Sequence, residues 1–195
     1  MRILLKPHPW IFAAAILVAG CMSIPLSSIV ELSRIDFSTT DFEVMRVAIR
    51  LPDAMRPRPG GVRMDASITL GENPAEKTSF LLVPVQGPID RAQLSEAEPP
   101  GFATHAYRLS LADLRRVESL RADLKRRKQE GTRGKLAIGI ATTEFCRMRP
   151  VPEGPLPVTT YLLTSETGRY VVVNDRYDLR QHEKTAQALA SLGPC

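Results

Sequence analysis

The sequence is poor in the residues that most often carry catalysis or bind metals. Among 195 residues there are three cysteines, three histidines and one tryptophan. His182-Glu183 begins the pattern of a zinc-protease helix, but Ala186 occupies the position of the required second histidine. Gly131–Lys135 is similar to part of a phosphate-binding loop, yet Gln129 replaces its first glycine and Leu136 its magnesium-binding hydroxyl. An acyl-transfer serine in a Gly-x-Ser-x-Gly turn is also missing from the sequence.

The sequence also lacks an apolar run long enough to cross a membrane. The run Trp10–Ala19 has about ten residues, whereas a membrane-spanning helix needs roughly 20. Arg2 and Lys6 precede this run, and the small residues Ala19 and Gly20 close it. A short positive segment, a short apolar core and small residues at the end are typical of a secretory signal peptide.

The five residues Leu17-Val18-Ala19-Gly20-Cys21 end this segment. They resemble the lipobox of bacterial lipoproteins, in which cleavage occurs just before the cysteine. The resemblance covers residues 1–21 only. It implies that Cys21 becomes the N-terminus and carries fatty acyl chains such as palmitate, and two or more chains hold a protein firmly on a membrane. Met22 replaces the aspartate that favours the inner membrane in similar lipoproteins, so the outer membrane is slightly favoured.

The resemblance implies three parts of the chain. Residues 1–20 are a cleaved signal peptide, residues 21–28 a lipidated N-terminus with a short tether, and residues 29–195 a single periplasmic domain. Loss of Arg2 and Lys6 lowers the 26 basic residues to 24 against 21 acidic ones, a net charge of +3. This charge is too small for a nucleic-acid-binding surface. About 175 residues remain, enough for one domain with a sizeable core.

Cys146 and Cys195 are left once Cys21 is assigned to lipid. An even pair of cysteines in an oxidising compartment predicts a disulfide, which would tie the last residue to the middle of the chain. The alternative is a reactive Cys146 thiol activated by a histidine.

Period-two alternation of apolar residues predicts the β-strands, and Gly- and Pro-rich segments separate them. Pro84 predicts an edge position or a bulge for its strand. Residues 164–169, with Gly168, have the pattern of a hairpin turn. The predicted strands cover Met45–Leu51, Val62–Leu70, Phe80–Val85, Phe102–Leu109, Leu136–Ile140, Val158–Leu163 and Tyr170–Val173.

Three helices are predicted, one of them from a strong pattern. Ser110 and Asp113 form a variant capping box, and apolar residues then recur every three or four positions from Leu111 to Leu124. A helical turn at Ile29–Ile35 and a C-terminal helix at Leu179–Leu192 complete the set. We therefore expect an α+β fold with an antiparallel β-sheet or sandwich of six to seven strands, an amphipathic helix at about 111–129 and a C-terminal helix.

Few residues remain as candidates for a site. His105 lies on a predicted strand and His182 near the start of a polar helix, and both are more typical of structural or exposed histidines than of a general base. The basic run Lys125-Arg126-Arg127-Lys128 complements the C-terminal end of the helix dipole. It is also a candidate contact with anionic lipid, such as headgroups or lipopolysaccharide.

These features favour a protein without metal or cofactor that acts by binding. We expect a lipid-anchored periplasmic envelope protein, either an accessory subunit of a membrane assembly or a structural part of the envelope. The alternatives are a carrier of an amphiphilic ligand, held between the sheet and the 111–124 helix, and an envelope hydrolase built around His105 or His182.

Overall fold

A computed structural model describes residues 24–71, 73–85, 98–132, 134–181 and 183–195. Nine strands and three helices lie within these residues, and a 3₁₀ turn at Leu179–Gln181 precedes the last helix. In chain order the elements are α1 (Leu26–Leu32), β1 (Arg46–Pro52), β2 (Met55–Pro57), β3 (Val62–Leu70), β4 (Glu76–Pro84), β5 (Phe102–Leu109), α2 (Leu111–Gln129), β6 (Gly134–Thr142), β7 (Phe145–Arg147), β8 (Pro157–Leu163), β9 (Val171–Asp178) and α3 (Glu183–Ala190).

Seven strands form one curled antiparallel sheet in the order β6-β3-β4-β5-β1-β8-β9. Strands β2 and β7 form a separate two-stranded sheet. The predicted α+β class, the helix at 111–129 and a C-terminal helix are confirmed. Of the two arrangements left open by the sequence, the chain adopts a single sheet and not a sandwich.

The alternation in the sequence sets which face of the sheet is buried. In β3 every second residue from Val62 to Ala66 is fully buried, while Arg63 and Asp65 lie at the margin of the core. Side chains of the same face in β1, β4 and β5 extend this core. A smaller apolar cluster around Tyr161 lies apart from it. Strand β1 is buried on both faces, and it lies between β5 and β8.

Helix α2 packs against the core face through Val117, which is fully buried, and through Leu114 and Leu120. Ser110 caps the helix as the capping box predicts, because its hydroxyl accepts the Asp113 N–H at 3.0 Å. Leu111, predicted as part of the apolar stripe, is instead exposed. The buried residue of the first turn is Asp113, because its carboxylate accepts the N–H of Leu81 in β4.

Other predicted details were wrong. Helix α1 begins three residues earlier than predicted, at Leu26, and the C-terminal tail divides into the 3₁₀ turn and the shorter helix α3. Strand β4 is an inner strand, contrary to the edge or bulge that Pro84 predicted. Pro84 is the last residue of β4 and lies opposite Tyr107, beyond the pairs that join β4 to β3. The missing N–H of Pro84 therefore removes no bond between these two strands.

Candidate functional site: an open sheet edge

The two edges of the large sheet differ in how they are protected. Strand β9 pairs with β8 through two register shifts, and Arg176 within it has a positive φ of 44°. Asp175 and Asp178 add charge to β9, and helix α1 contacts it. Bulges, charges and covering helices are the usual means by which proteins prevent a sheet edge from pairing with another chain.

Strand β6 forms the other edge, and in the part of the chain that the structure describes it has no register shift and a single charge. All nine of its residues pair with β3 in an unbroken register. Lys135, near the start of β6, is its single charged residue. Ile138 is 44% exposed although it lies in register with the fully buried Ala66. Gly139 adds no side chain to the opposite face, where a Cβ would meet nothing within 4 Å.

The hydrogen-bond pattern determines which backbone groups of β6 are available. Thr143, which continues the β3–β6 register, donates its N–H to the carbonyl oxygen of Gly61 at 2.9 Å. Bonded and non-bonded pairs alternate in an antiparallel ladder, so the odd-numbered residues of β6 bond to β3. The even-numbered residues, with Leu136, Ile138 and Ile140 among them, direct their N–H and C=O groups away from β3.

The pairing on the far side of β3 supports this assignment. Leu81 lies opposite Arg63, but its N–H donates to Asp113 at 2.8 Å and its C=O accepts the Ser110 N–H at 3.1 Å. Leu81 therefore makes no ladder bond to Arg63. The backbone groups of Arg63 face β6 instead, where Ala141 is its partner.

An extended peptide is the ligand that such an edge can bind. A row of outward N–H and C=O groups pairs with the backbone of a second strand, and the side chains beside them select its sequence. On β6 these side chains are Leu136, Ile138 and Ile140, which all belong to the apolar face of the sheet.

The sequence predicted the strand at β6, but it did not predict that this strand lies at an open edge of the sheet. The apolar residues from Leu136 to Ile140 predicted a strand. Its edge position depends on pairing with β3, in which Leu136 lies opposite Ile68. This pairing joins segments that are distant in the chain, so it left no local signal in the sequence.

The predicted basic run, Lys125 to Lys128, lies in the last turns of α2. Both arginines bind Asp123, Arg127 at 2.6 Å, and Arg127 also lies 3.5 Å from Glu76 of β4. Burial alone would raise the pKa of Asp123, but the hydrogen bonds from the two arginines lower it below its usual value. The two lysines of the run form no ion pair with any residue in the described ranges. Hydrogen bonds from Ser38 lower the pKa of Asp36 and the charge of Lys128 lowers it further, so Lys128 is partly neutralised by that carboxylate.

Of the two histidine candidates, the structure describes His105 but not His182. His105 is half-buried on β5 opposite Ile49, with Ala103 and Tyr107 two residues to either side. Burial raises the pKa of the neighbouring Tyr107 to about 12. His182 lies outside the described residues, as does Cys21. Within the described ranges, no group of three or more His, Cys, Asp or Glu side chains is arranged to hold a metal ion.

The predicted pair of cysteines is joined. Cys146 in β7 and Cys195 form a disulfide with a Cα–Cα distance of 4.9 Å. Arg147 continues the same contact, because its N–H donates to the carbonyl oxygen of Gly193 at 3.0 Å and its C=O accepts the Cys195 N–H at 3.1 Å. The end of the chain is thus held against β7 by backbone bonds as well as by the disulfide.

The cavities at the surface of the described residues include two open ones. One, of about 510 Å³, is lined by residues of α3, the β6–β7 connection and Arg58. The other, of about 400 Å³, lies between Arg46 and Arg108 beside Pro84 and Val85. Neither lies between α2 and the sheet, where the side chains are packed together.

Comparison with protein-family models, curated proteins and solved structures finds no match to this chain. None of the described helices is long and apolar enough to span a membrane. The open edge of β6 is the feature of the described structure that most clearly offers a binding surface.

Proposed function

We propose that this protein is a lipid-anchored periplasmic binding module, held to the envelope through Cys21. It acts as an accessory or structural part of a membrane assembly, and its β6 edge binds an extended segment of another envelope protein. The observation that carries this proposal is the unpaired, weakly charged edge of β6, in contrast to the protected edge at β9.

The edge defines the chemistry of the partner. A bound strand would pair with the outward groups of Leu136, Ile138 and Ile140, so its own backbone must be free of proline at the bonded positions. Apolar side chains at alternate positions of the partner would cover Ile138 and extend the core face. Lys135 favours an acidic residue near one end of that segment.

The packing beneath α2 favours a binding module over a carrier. A carrier needs a cavity between the helix and the sheet, large enough for an acyl chain. Phe80, Leu82, Leu109 and Val117 meet there and are each at most 1% exposed. The disulfide supports the proposed compartment, since such bonds persist in oxidising environments such as the periplasm.

Cross-linking in living cells tests this function. We expect the native protein to capture one protein at fixed stoichiometry, and Cys21→Ser and Ile138→Lys each to abolish the product. Val44→Lys is the matched control, because Val44 is 42% exposed and Ile138 44%. A product that survives Ile138→Lys would exclude the β6 edge. A product that contains only a second copy of this chain would replace the accessory role with self-association, and copurifying lipid without a protein would favour the carrier.

A further inference from the structure

Three of the four apolar side chains of helix α1 lie on the outside. Leu26, Ile29 and Val30 are 83%, 42% and 60% exposed. Their spacing of three and four residues places them on one stripe of the helix, which continues to the exposed Ser33. A surface helix normally turns such a stripe toward the core, so this stripe has no partner within the described structure.

The opposite side of α1 includes the half-buried Leu32 beside polar residues, and it holds the helix in place. Ser28 is buried, and Glu31 forms an ion pair with Arg169 at the β8–β9 connection. The helix also contacts β9. The apolar stripe therefore faces outward because of specific contacts on the other face of α1.

The position of α1 in the chain identifies what covers the stripe. Leu26 lies five residues after Cys21, and a chain of that length spans at most about 18 Å. We propose that Leu26, Ile29 and Val30 enter the interfacial region of the membrane that holds the acyl chains of Cys21. This inference rests on the proposed lipid anchoring, and it adds a second contact that orients the domain.

The neighbouring charge fits a membrane surface. Arg34 is exposed one turn after the stripe, where a cation can approach anionic headgroups. Because α1 contacts β9, the membrane contact lies beside one edge of the sheet, while β6 forms the opposite edge. The proposed protein-binding edge and the lipid contact therefore involve different edge strands of the sheet.

Tryptophan fluorescence tests the contact with little background. Trp10 is the single tryptophan of the chain and lies in the predicted signal peptide, so the mature protein would contain none. Ile29→Trp places a probe on the stripe. Ile138→Trp is the control, since the two isoleucines are 42% and 44% exposed. Each purified full-length mature protein is reconstituted in phosphatidylethanolamine–phosphatidylglycerol vesicles whose acyl chains are brominated near the headgroups.

We expect bromolipid to quench the tryptophan at position 29 at least about twofold more strongly than the one at position 138, because only an interfacial residue reaches the brominated carbons. Leu26→Ser with Val30→Ser in the Ile29→Trp protein should reduce the quenching. Equal quenching at positions 29 and 138, or none at either, would overturn the inference.

The intact mass of the same samples shows whether the protein is acylated. This measurement tests the lipid anchor separately from the membrane contact of α1. Acylated protein without quenching at position 29 would overturn the membrane contact of α1 and leave the anchor in place. Quenching at position 29 in protein without acyl chains would support the contact and refute the anchor. Protein that has no acyl chains and shows no quenching at position 29 would refute both the anchor and the membrane contact of α1.

Discussion

The carboxylate of Asp113 accepts the backbone N–H of Leu81 at 2.8 Å and thereby joins the first turn of α2 to β4. The same carboxylate accepts the Ser110 hydroxyl at 2.9 Å and forms an ion pair with Arg116. A residue that the sequence assigns to a helix cap therefore also attaches the helix to the sheet. Asp113 is 5% exposed, so its bonds are not replaced by water when the side chain is removed.

Replacing Asp113 by alanine should lower the free energy of unfolding by about 2 kcal/mol, because the Leu81 N–H and the Ser110 hydroxyl both lose their acceptor. Urea unfolding of the two proteins measures the difference. Asp113→Asn is the control, since its amide oxygen can still accept the Leu81 N–H. Equal losses in the two variants would show that the charge of Asp113, and not its hydrogen bonds, stabilises the fold.

Asp113 should also contribute a pH-dependent stability. Burial alone would raise its pKa, but the bonds from Leu81, Ser110 and Arg116 outweigh burial and lower the pKa below the ordinary value of 3.8. A lowered pKa stabilises the folded state above that ordinary value, and the contribution disappears as the pH falls through the lowered pKa. The difference in unfolding free energy between the native protein and Asp113→Asn should therefore shrink below about pH 4. A difference that stays constant down to about pH 2 would contradict the assignment.

Loss of the disulfide should destabilise the domain. The Cys146–Cys195 bond closes a sequence separation of 49 residues, for which chain entropy gives about 4 kcal/mol. Cys146→Ser and Cys195→Ser should each cause this loss, and the double variant should add little because either change breaks the same bond. Thermal unfolding measures the effect. If the losses of stability in the two single variants add up in the double variant, the two cysteines stabilise the domain independently and not through one bond.

Proline substitutions along β6 should distinguish outward from inward backbone groups. Ile138→Pro removes an N–H that faces away from β3, so the protein should fold and lose its ability to bind a partner strand. Ala137→Pro removes an N–H that bonds to β3. It should lower the free energy of unfolding by about 1–3 kcal/mol more than Ile138→Pro does. Circular dichroism and urea unfolding of both variants measure this. Greater destabilisation by Ile138→Pro would reverse the assigned hydrogen-bond pattern.

Local patterns were sufficient for the longer elements. The alternation from Val62 to Leu70 predicted β3 because one face of this strand is buried. The capping box and the apolar spacing predicted α2 with its observed bounds. The cysteine pair was predicted from parity and compartment, which require no knowledge of the fold.

The features that the sequence did not predict depend on pairing between strands that are distant in the chain. Strands β2 and β7 have three residues each, too few for a periodic pattern, and they form because Met55–Pro57 meets Phe145–Arg147. The edge that Pro84 predicted is confined to the end of β4, because Leu82–Pro84 pair with β5 but not with β3. The open edge of β6 and the outward stripe of α1 follow from the arrangement of the whole sheet, so neither has a signature in its own residues.

Photo-cross-linking in living cells shows whether β6 is the edge that binds a partner. A photoreactive amino acid replaces Ile138 in one strain and the similarly exposed Val44 in another. If β6 binds the partner, we expect a single cross-linked protein from position 138, none from position 44, and loss of the product when Cys21→Ser is added. Cross-links of equal yield from both positions, or none from position 138 while the native protein still captures its partner, would contradict binding at β6.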